Sequence, residues 1–450
     1  MNLVKPDSVT TTGSITRSTI GTYFDSTGTM QTAAINEVRI NYEPITKEFR
    51  GVLIENAATN ILFNTATLST QSKTVTASEY TLSFYGTGTV VLSGVHSATV
   101  VGDGAYPVRK TYTFTPTAGT LTLTVTGTVE KAQLELGASA TSWISTTSAA
   151  VTRAADVISG SGLVYTTLTE SNPEWSSATT YALGAVVVYQ NYGTYKSLQS
   201  GNLNHTPPIA DPFTDAYWVR TGPTNKMAMF DDQISSVSSS TSDIIFAVTS
   251  AAVDTVSLLN VSAGKTSISV TDLSTKQAVY HNSQQLSGSE ALDWFSYFFY
   301  DEDTQRTTSL YLDVPAVSSG LITIKITGSG TISVGTFVSG ELKPLGSTQY
   351  GVSAGIIDYS RKNTDEFGTT TFVKRNFSKR MNASVSLTNS NLNRVQRILY
   401  QLRATPVLWI ASTDIQFEEP LIIYGFYRDF STEISYPSHS ICNLQVEGLI

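Results

Sequence analysis

The chain has 450 residues, 40% of them apolar, with 28 basic and 36 acidic side chains. That length predicts about three domains whose cores need no disulfide, and the single cysteine, Cys442, excludes an intramolecular one. A net charge of −8 is the wrong sign for a phosphate-neutralising surface; 55 Ser and 65 Thr beside few good helix formers exclude a helical bundle or coiled-coil fibre.

Residues 1–62 read as an extended N-terminal arm. Arg17-Ser-Thr-Ile-Gly-Thr-Tyr-Phe-Asp25, Asn41-Tyr-Glu-Pro44 and the 51–60 stretch carry many turn residues and little alternation. Such chain is expected to lie on another part of the molecule. Met1 to Thr10 lacks the apolar segment of a secretory signal, and no run of 18 apolar residues occurs anywhere, so membrane insertion is not expected.

Residues 63–158 predict a β-sandwich of the jelly-roll, lectin-like type. Tyr80, Leu82 and Phe84 alternate with Thr81 and Ser83; Leu121, Leu123 and Val125 alternate with Thr122, Thr124 and Thr126. This period of two marks strands with one buried and one wet face. The last strand is expected near 132–137. Residues 151–170 read as a connector. Residues 171–226 form a small aromatic-rich unit containing Trp175, Tyr181, Tyr189, Tyr192, Tyr195, Tyr217 and Trp218.

Residues 227–345 predict a second β-sandwich from the alternation of Ile244, Phe246 and Val248 and the run 321–326. Residues 346–450 are more charged and predict an α+β unit. Leu392, Val395, Ile398, Leu399 and Leu402 share one helical face, Ser390 or Asn391 can cap it, and Pro406 ends it. Strands are expected at 407–410, 421–426 and 441–446. The fold class is therefore mainly β: sandwich modules followed by a C-terminal α+β domain with one helix.

The four histidines, His96, His205, His281 and His439, are scattered without metal-ligand spacing, and no nucleophile elbow or phosphate loop is present. Neither an enzyme nor a cofactor is expected. Asp301-Glu302-Asp303 offers oxygen ligands for Ca²⁺, though a solvated loop tip is the simpler reading. Aromatic faces stack on sugar rings, which makes Trp175, Tyr195 and Trp218 candidates for carbohydrate contact, with Tyr181 assigned to the core. The run 294–300 is aromatic on both alternating faces and predicts a doubly buried strand or a subunit interface. Arg361, Lys374, Arg375, Lys379 and Arg380 lie in an acidic chain, so they predict a protein–protein interface and no nucleic acid.

Taken together these stretches resemble proteins of tailed bacteriophages. Arg17 to Leu62, with Thr-Tyr-Phe-Asp-Ser-Thr-Gly and Gly-Val-Leu-Ile-Glu-Asn-Ala-Ala-Thr-Asn, resembles the start of fibre and spike proteins. Tyr-Thr-Leu-Ser-Phe-Tyr-Gly, Thr-Phe-Thr-Pro-Thr-Ala-Gly and Ala-Gln-Leu-Glu-Leu-Gly look like their carbohydrate-binding-type jelly rolls. Residues 175–218 are similar to small chitin-binding-like modules, with Ala185 where those often carry Asp. Arg403-Ala-Thr-Pro406 and Tyr424-Gly-Phe-Tyr-Arg-Asp-Phe430 look like a tail-tip or baseplate domain. The resemblance implies a virion structural protein of the tail, made in the host cytoplasm. On that resemblance it is expected to dock to other tail or baseplate proteins, to form a homo-oligomer in the virion and to touch host-surface polysaccharide. A purely structural assembly protein and a polysaccharide depolymerase are the alternatives.

Overall fold

A computed structural model describes residues 1–286, 305–364, 366–414, 418–434 and 436–449. The aromatic run 294–300 and the acidic cluster 301–303 lie outside the described residues. The chain is mainly β, with antiparallel sheets assembled into sandwiches and a C-terminal α+β unit carrying one main helix. Among the described residues no helix is long and apolar enough to cross a membrane.

The first sandwich packs a four-stranded sheet against a three-stranded one. The first has the order Ala98–Val101, Thr89–Gly94, Gly119–Thr126, Gln71–Val75; the second runs Gly104–Phe114, Tyr80–Gly86, Glu130–Leu136. Leu82, Phe84, Leu92, Leu121, Leu123 and Leu134 meet between the sheets. Alternation alone places Thr81 and Ser83 in water, yet both are buried. The reason is a second cover. Thr81 Oγ1 donates to Gly137 O at 2.7 Å, Arg109 Nη2 donates to Ser83 Oγ at 2.8 Å, and Phe24 from the arm packs edge-on against Tyr85.

The arm is built of short strand pairs. Gly21–Phe24 pairs with Met30–Ala33, and Ile40–Tyr42 with Phe49–Val52. In the first hairpin the Asp25 carboxylate accepts from Thr27 Oγ1, Gln31 Nε2 and the Thr27 and Thr29 amides, which together pull its pKa down to about 2. Ser14–Thr16 and Ala58–Asn60 each pair with part of the expected connector, at Val157–Ser159 and Val151–Arg153. Residues 151–159 therefore bind the arm instead of linking free units. The arm also reaches the second sandwich: Ser269 Oγ donates to Arg50 O at 2.6 Å. Gly51 is required at that crossing. Its φ is +84°, and a Cβ there would stand 2.8 Å from the Ser269 Cβ.

The second sandwich has a five-stranded sheet, Leu163–Thr166, Ile244–Ser250, Gly320–Thr327, Lys265–Asp272, Gln277–Gln285. Facing it are Ser309–Tyr311, Thr255–Leu259 and Thr336–Gly340. Phe230, Phe246 and Phe337 meet edge-to-face in this core with centroids 5.4–5.8 Å apart. Each such pair contributes about 0.5–1.5 kcal/mol beyond its area burial.

The C-terminal unit is one eight-stranded sheet with a helix on it. The helix Leu392–Gln401 buries Val395 and Leu399, with Leu402 just beyond, beside Trp409 and Val446. Its start differs from the expected side-chain cap. A 3₁₀ turn, Asn389–Asn391, leads into it, Asn391 already has helical dihedrals, and its Nδ2 donates to Thr388 Oγ1. The sheet also corrects the boundary at residue 346. Asn2–Val4 lies in its interior, hydrogen-bonded to Val407–Ile410 on one side and to Leu342–Pro344 on the other. Leu3 is apolar and fully buried there, so the first residues belong to the last sheet and not to the arm.

Candidate interaction surface

The aromatic unit spends its rings on its own core. Trp218 and Tyr195 are both 0% exposed. Trp218 sits on the strand Trp218–Gly222, its ring is met edge-on by Tyr181 at 5.2 Å, and its Nε1 donates to His205 O at 2.7 Å. Tyr195, on Gly193–Ser197, donates its hydroxyl to Pro208 O at 2.6 Å. Neither ring offers a face to a sugar, which overturns their assignment as carbohydrate contacts. About 50 residues without metal or disulfide need such rings inside. Trp175 is half-buried and packs edge-on to Tyr189 at 5.5 Å, so it too belongs to this cluster.

Between the arm and the first sandwich lies a buried ionic network that sequence spacing does not reveal. Arg39 Nη1 bonds Glu55 Oε2 at 2.7 Å and its Nη2 bonds Asp156 Oδ2 at 2.6 Å. Arg17 Nη1 reaches Asp156 Oδ1 at 3.1 Å, and Arg153 Nη1 lies 3.1 Å from Glu55 Oε2. Burial alone raises the Glu55 pKa. Arg39, Arg153 and two hydrogen bonds from Ser142 outweigh it and hold the carboxyl below its ordinary range. Both carboxylates meet more than one guanidinium, while Arg39 Nε and Arg153 Nε and Nη1 are buried without a hydrogen-bond partner; the network is a structural joint.

A cleft of about 440 Å³ opens where the second sandwich meets the C-terminal sheet, lined by Leu259, Phe377, Ile422 and Tyr424 among others. At its side Glu419 Oε1 accepts from the amide and hydroxyl of Thr307 at 2.8 and 2.7 Å, while Lys379 Nζ stands 3.2 Å from Glu419 Oε2. Burial raises the Glu419 pKa, but the Thr307 hydrogen bonds and Lys379 together leave it lowered. Lys379 is thus ion-paired to Glu419 within the chain while its side chain stays 38% exposed.

Of the other predicted interface residues, Arg361 lies on a β-ribbon near this cleft, Lys374 and Arg375 follow it, and Arg380 lies on the strand Phe377–Thr388 within the eight-stranded sheet. Ser353–Asp358 pairs with the first half of Phe377–Thr388 and is the outermost strand of the eight-stranded sheet. Beyond it Arg361–Thr364 pairs with Thr370–Val373, and among the described residues these two strands pair only with each other. All eight of their residues are exposed. Gly368, with φ +83°, sits in the turn between them. Cross-strand register puts Lys362 beside Phe372 on one face and Arg361 beside Val373 on the other. Lys374, Arg375 and Arg380 follow, all exposed.

This surface is apolar as well as basic. Phe372 is 75% exposed and Ile356 56%, and Tyr359, Val373 and Phe377 are also exposed. Residues 350–380 carry six basic and three acidic side chains, whereas the rest of the chain carries 22 and 33. The sequence signal for the basic residues was direct. The signal for the ribbon was weak: Ile356, Phe372 and Phe377 stand isolated among polar neighbours without a period, which does not distinguish a wet sheet face from a protruding hairpin. No protein-family model matches the chain, and no curated protein matches it.

Proposed function

We propose that this chain is a structural assembly protein of the bacteriophage tail, a component of a tail tip, baseplate or fibre that docks through the ribbon at residues 350–380. The observation that carries this reading is the ribbon itself. A lone two-stranded hairpin is marginally stable in water, and large apolar side chains on both its faces gain from being covered. An open sheet edge at Ser353–Asp358 adds a row of backbone groups that another strand can pair. The stretches at 17–62 and 403–430 that resemble tail proteins support placing the assembly in a virion. Burial of Tyr195 and Trp218 favours the assembly role without sugar contact at the small unit.

The test is placement. Antibodies against the chain, applied to particles from cells that carry its gene, are expected to decorate the tail end in electron micrographs. Particles that contain none of the chain overturn the reading.

A further inference from the structure

The joint between the arm and the first sandwich holds a cavity of about 200 Å³. Its wall is drawn from the hairpin of Gly21–Phe24 and Met30–Ala33, from the paired strands Tyr80–Gly86 and Gly104–Phe114, and from residues 140–143. Phe24, Met30, Tyr85 and Trp143 give it rings and apolar surface, and its charged members are Glu55 and Arg109. These two differ. Glu55 already meets Arg39 and Arg153 at 2.7 and 3.1 Å and takes two hydrogen bonds from Ser142. Arg109 is half-buried and meets only neutral oxygens, donating from Nη1 to Thr141 O at 2.7 Å and from Nη2 to Ser83 Oγ at 2.8 Å. The fully buried charges balance without it: Arg17, Arg39 and Arg153 against Glu55, Glu135 and Asp156. Two N–H groups of residues in this wall, Arg109 Nε and Trp143 Nε1, are buried without an acceptor among the described residues. A guanidinium drawn partly out of water with no counter-charge, beside donors with no acceptor, is a site short of an anion.

We infer that this cavity binds a small carboxylate with a flat apolar body. The planar fork of Arg109 matches the two oxygens of a carboxylate and supplies the charge they need. The guanidinium carbon stands 5.7 Å from the centre of the Tyr85 ring, which puts charge and ring side by side, and Phe24 meets the same ring edge-on. A body of one ring fits the space, since an apolar cavity of roughly 150 Å³ takes up benzene. A dianion such as phosphate fits less well, because Glu55 lines the same cavity and a second negative charge finds no free cation there. Such a ligand touches the arm hairpin and the sandwich at once, so its binding holds one on the other by mass action. This site is independent of the tail assignment and of the ribbon.

The experiment uses the full chain and benzoate as the probe, with benzamide as its uncharged counterpart. Titration calorimetry is expected to show one saturable site for benzoate with a Kd of about 1 mM or tighter, and binding of benzamide at least about tenfold weaker. Arg109→Gln is expected to weaken benzoate by about tenfold or more. Met30→Trp, which fills the cavity from the hairpin and leaves Arg109 in place, is expected to do the same. Thermal unfolding of each variant without benzoate separates loss of the site from loss of fold. Hydrogen exchange on the unaltered chain needs no variant: benzoate is expected to slow it at residues 21–33 and 140–143 and not in the second sandwich. A benzoate titration with no saturable site, equal binding of benzamide, equal binding by a folded Arg109→Gln chain, or exchange unmoved at 21–33 and 140–143 overturns the inference and leaves ordered water as the occupant of the cavity.

Discussion

Arg39 and Asp156 meet through Nη2 and Oδ2 at 2.6 Å with both side chains out of solvent, although they lie on segments 117 residues apart. Asp156 also receives Arg17 and the Glu55 amide, at 3.1 and 2.9 Å. One carboxylate thus fixes three stretches of the arm against the strand pair at 151–159. Asp156→Ala leaves the buried Arg17 guanidinium without this counter-charge and Arg39 with Glu55 alone, and removing one partner of such a set costs about 3–5 kcal/mol. Urea unfolding is expected to show that loss; a change within 1 kcal/mol would mean that the network contributes little to holding the arm.

Glu55 makes the same joint sensitive to acid. Its carboxyl is held below the ordinary 4.5 in the folded chain. A depressed folded pKa contributes stability that is present above about pH 4.5 and is lost as the pH falls through the folded value. Unfolding free energy is therefore expected to drop below pH 4.5, with a shallower drop in Glu55→Gln, which has no proton to take up at that site. Parallel slopes for the two proteins would argue against Glu55 as a source of the acid dependence.

The aromatic unit gives a prediction that separates core from ligand contact. Trp218→Ala removes a fully buried indole and its bond to His205 O. Loss of a buried large aromatic costs about 3–5 kcal/mol, more than so small a core can spare. Limited proteolysis is expected to cut within 171–222 while both sandwiches stay intact. Unchanged protease resistance would show that the ring is dispensable to the unit.

Leu3 tests the closing strand. It is fully buried between Val407–Ile410 and Leu342–Pro344. Leu3→Ala is expected to destabilise the C-terminal sheet by about 2–5 kcal/mol. Hydrogen exchange should quicken at residues 407–410 and not in the first sandwich; uniform exchange in both would contradict the pairing.

Much of this architecture was legible in the sequence. Alternation at Tyr80, Leu82 and Phe84 and the helical face at Val395 and Leu399 each depend on neighbours a few residues away. The rest depends on partners far along the chain. Nothing local distinguishes Thr81, buried under a second layer, from a Thr on a wet face. Nothing in Asn2-Leu3-Val4 says that it enters a sheet, because three residues are too few to show a period. Arg17, Arg39, Glu55, Arg153 and Asp156 look like five surface charges until the fold brings them together. Trp218 and Tyr195 illustrate the converse error: the residue types suit sugar stacking, but the size of their unit decides that they fill its interior.

The strand Asn2–Val4 pairs with a strand about 400 residues later, and this bears on the order in which the protein is made. The strand Asn2–Val4 cannot take its place until residues 407–410 have also been synthesised. Contacts of such long range slow folding, because loop closure precedes any gain from pairing. Until the three strands meet, the edges of Leu342–Pro344 and then of Val407–Ile410 are open to the wrong neighbours. Copies growing side by side on one message are thus expected to be prone to exchanging this strand in the interval before Asn2–Val4 and Val407–Ile410 have paired.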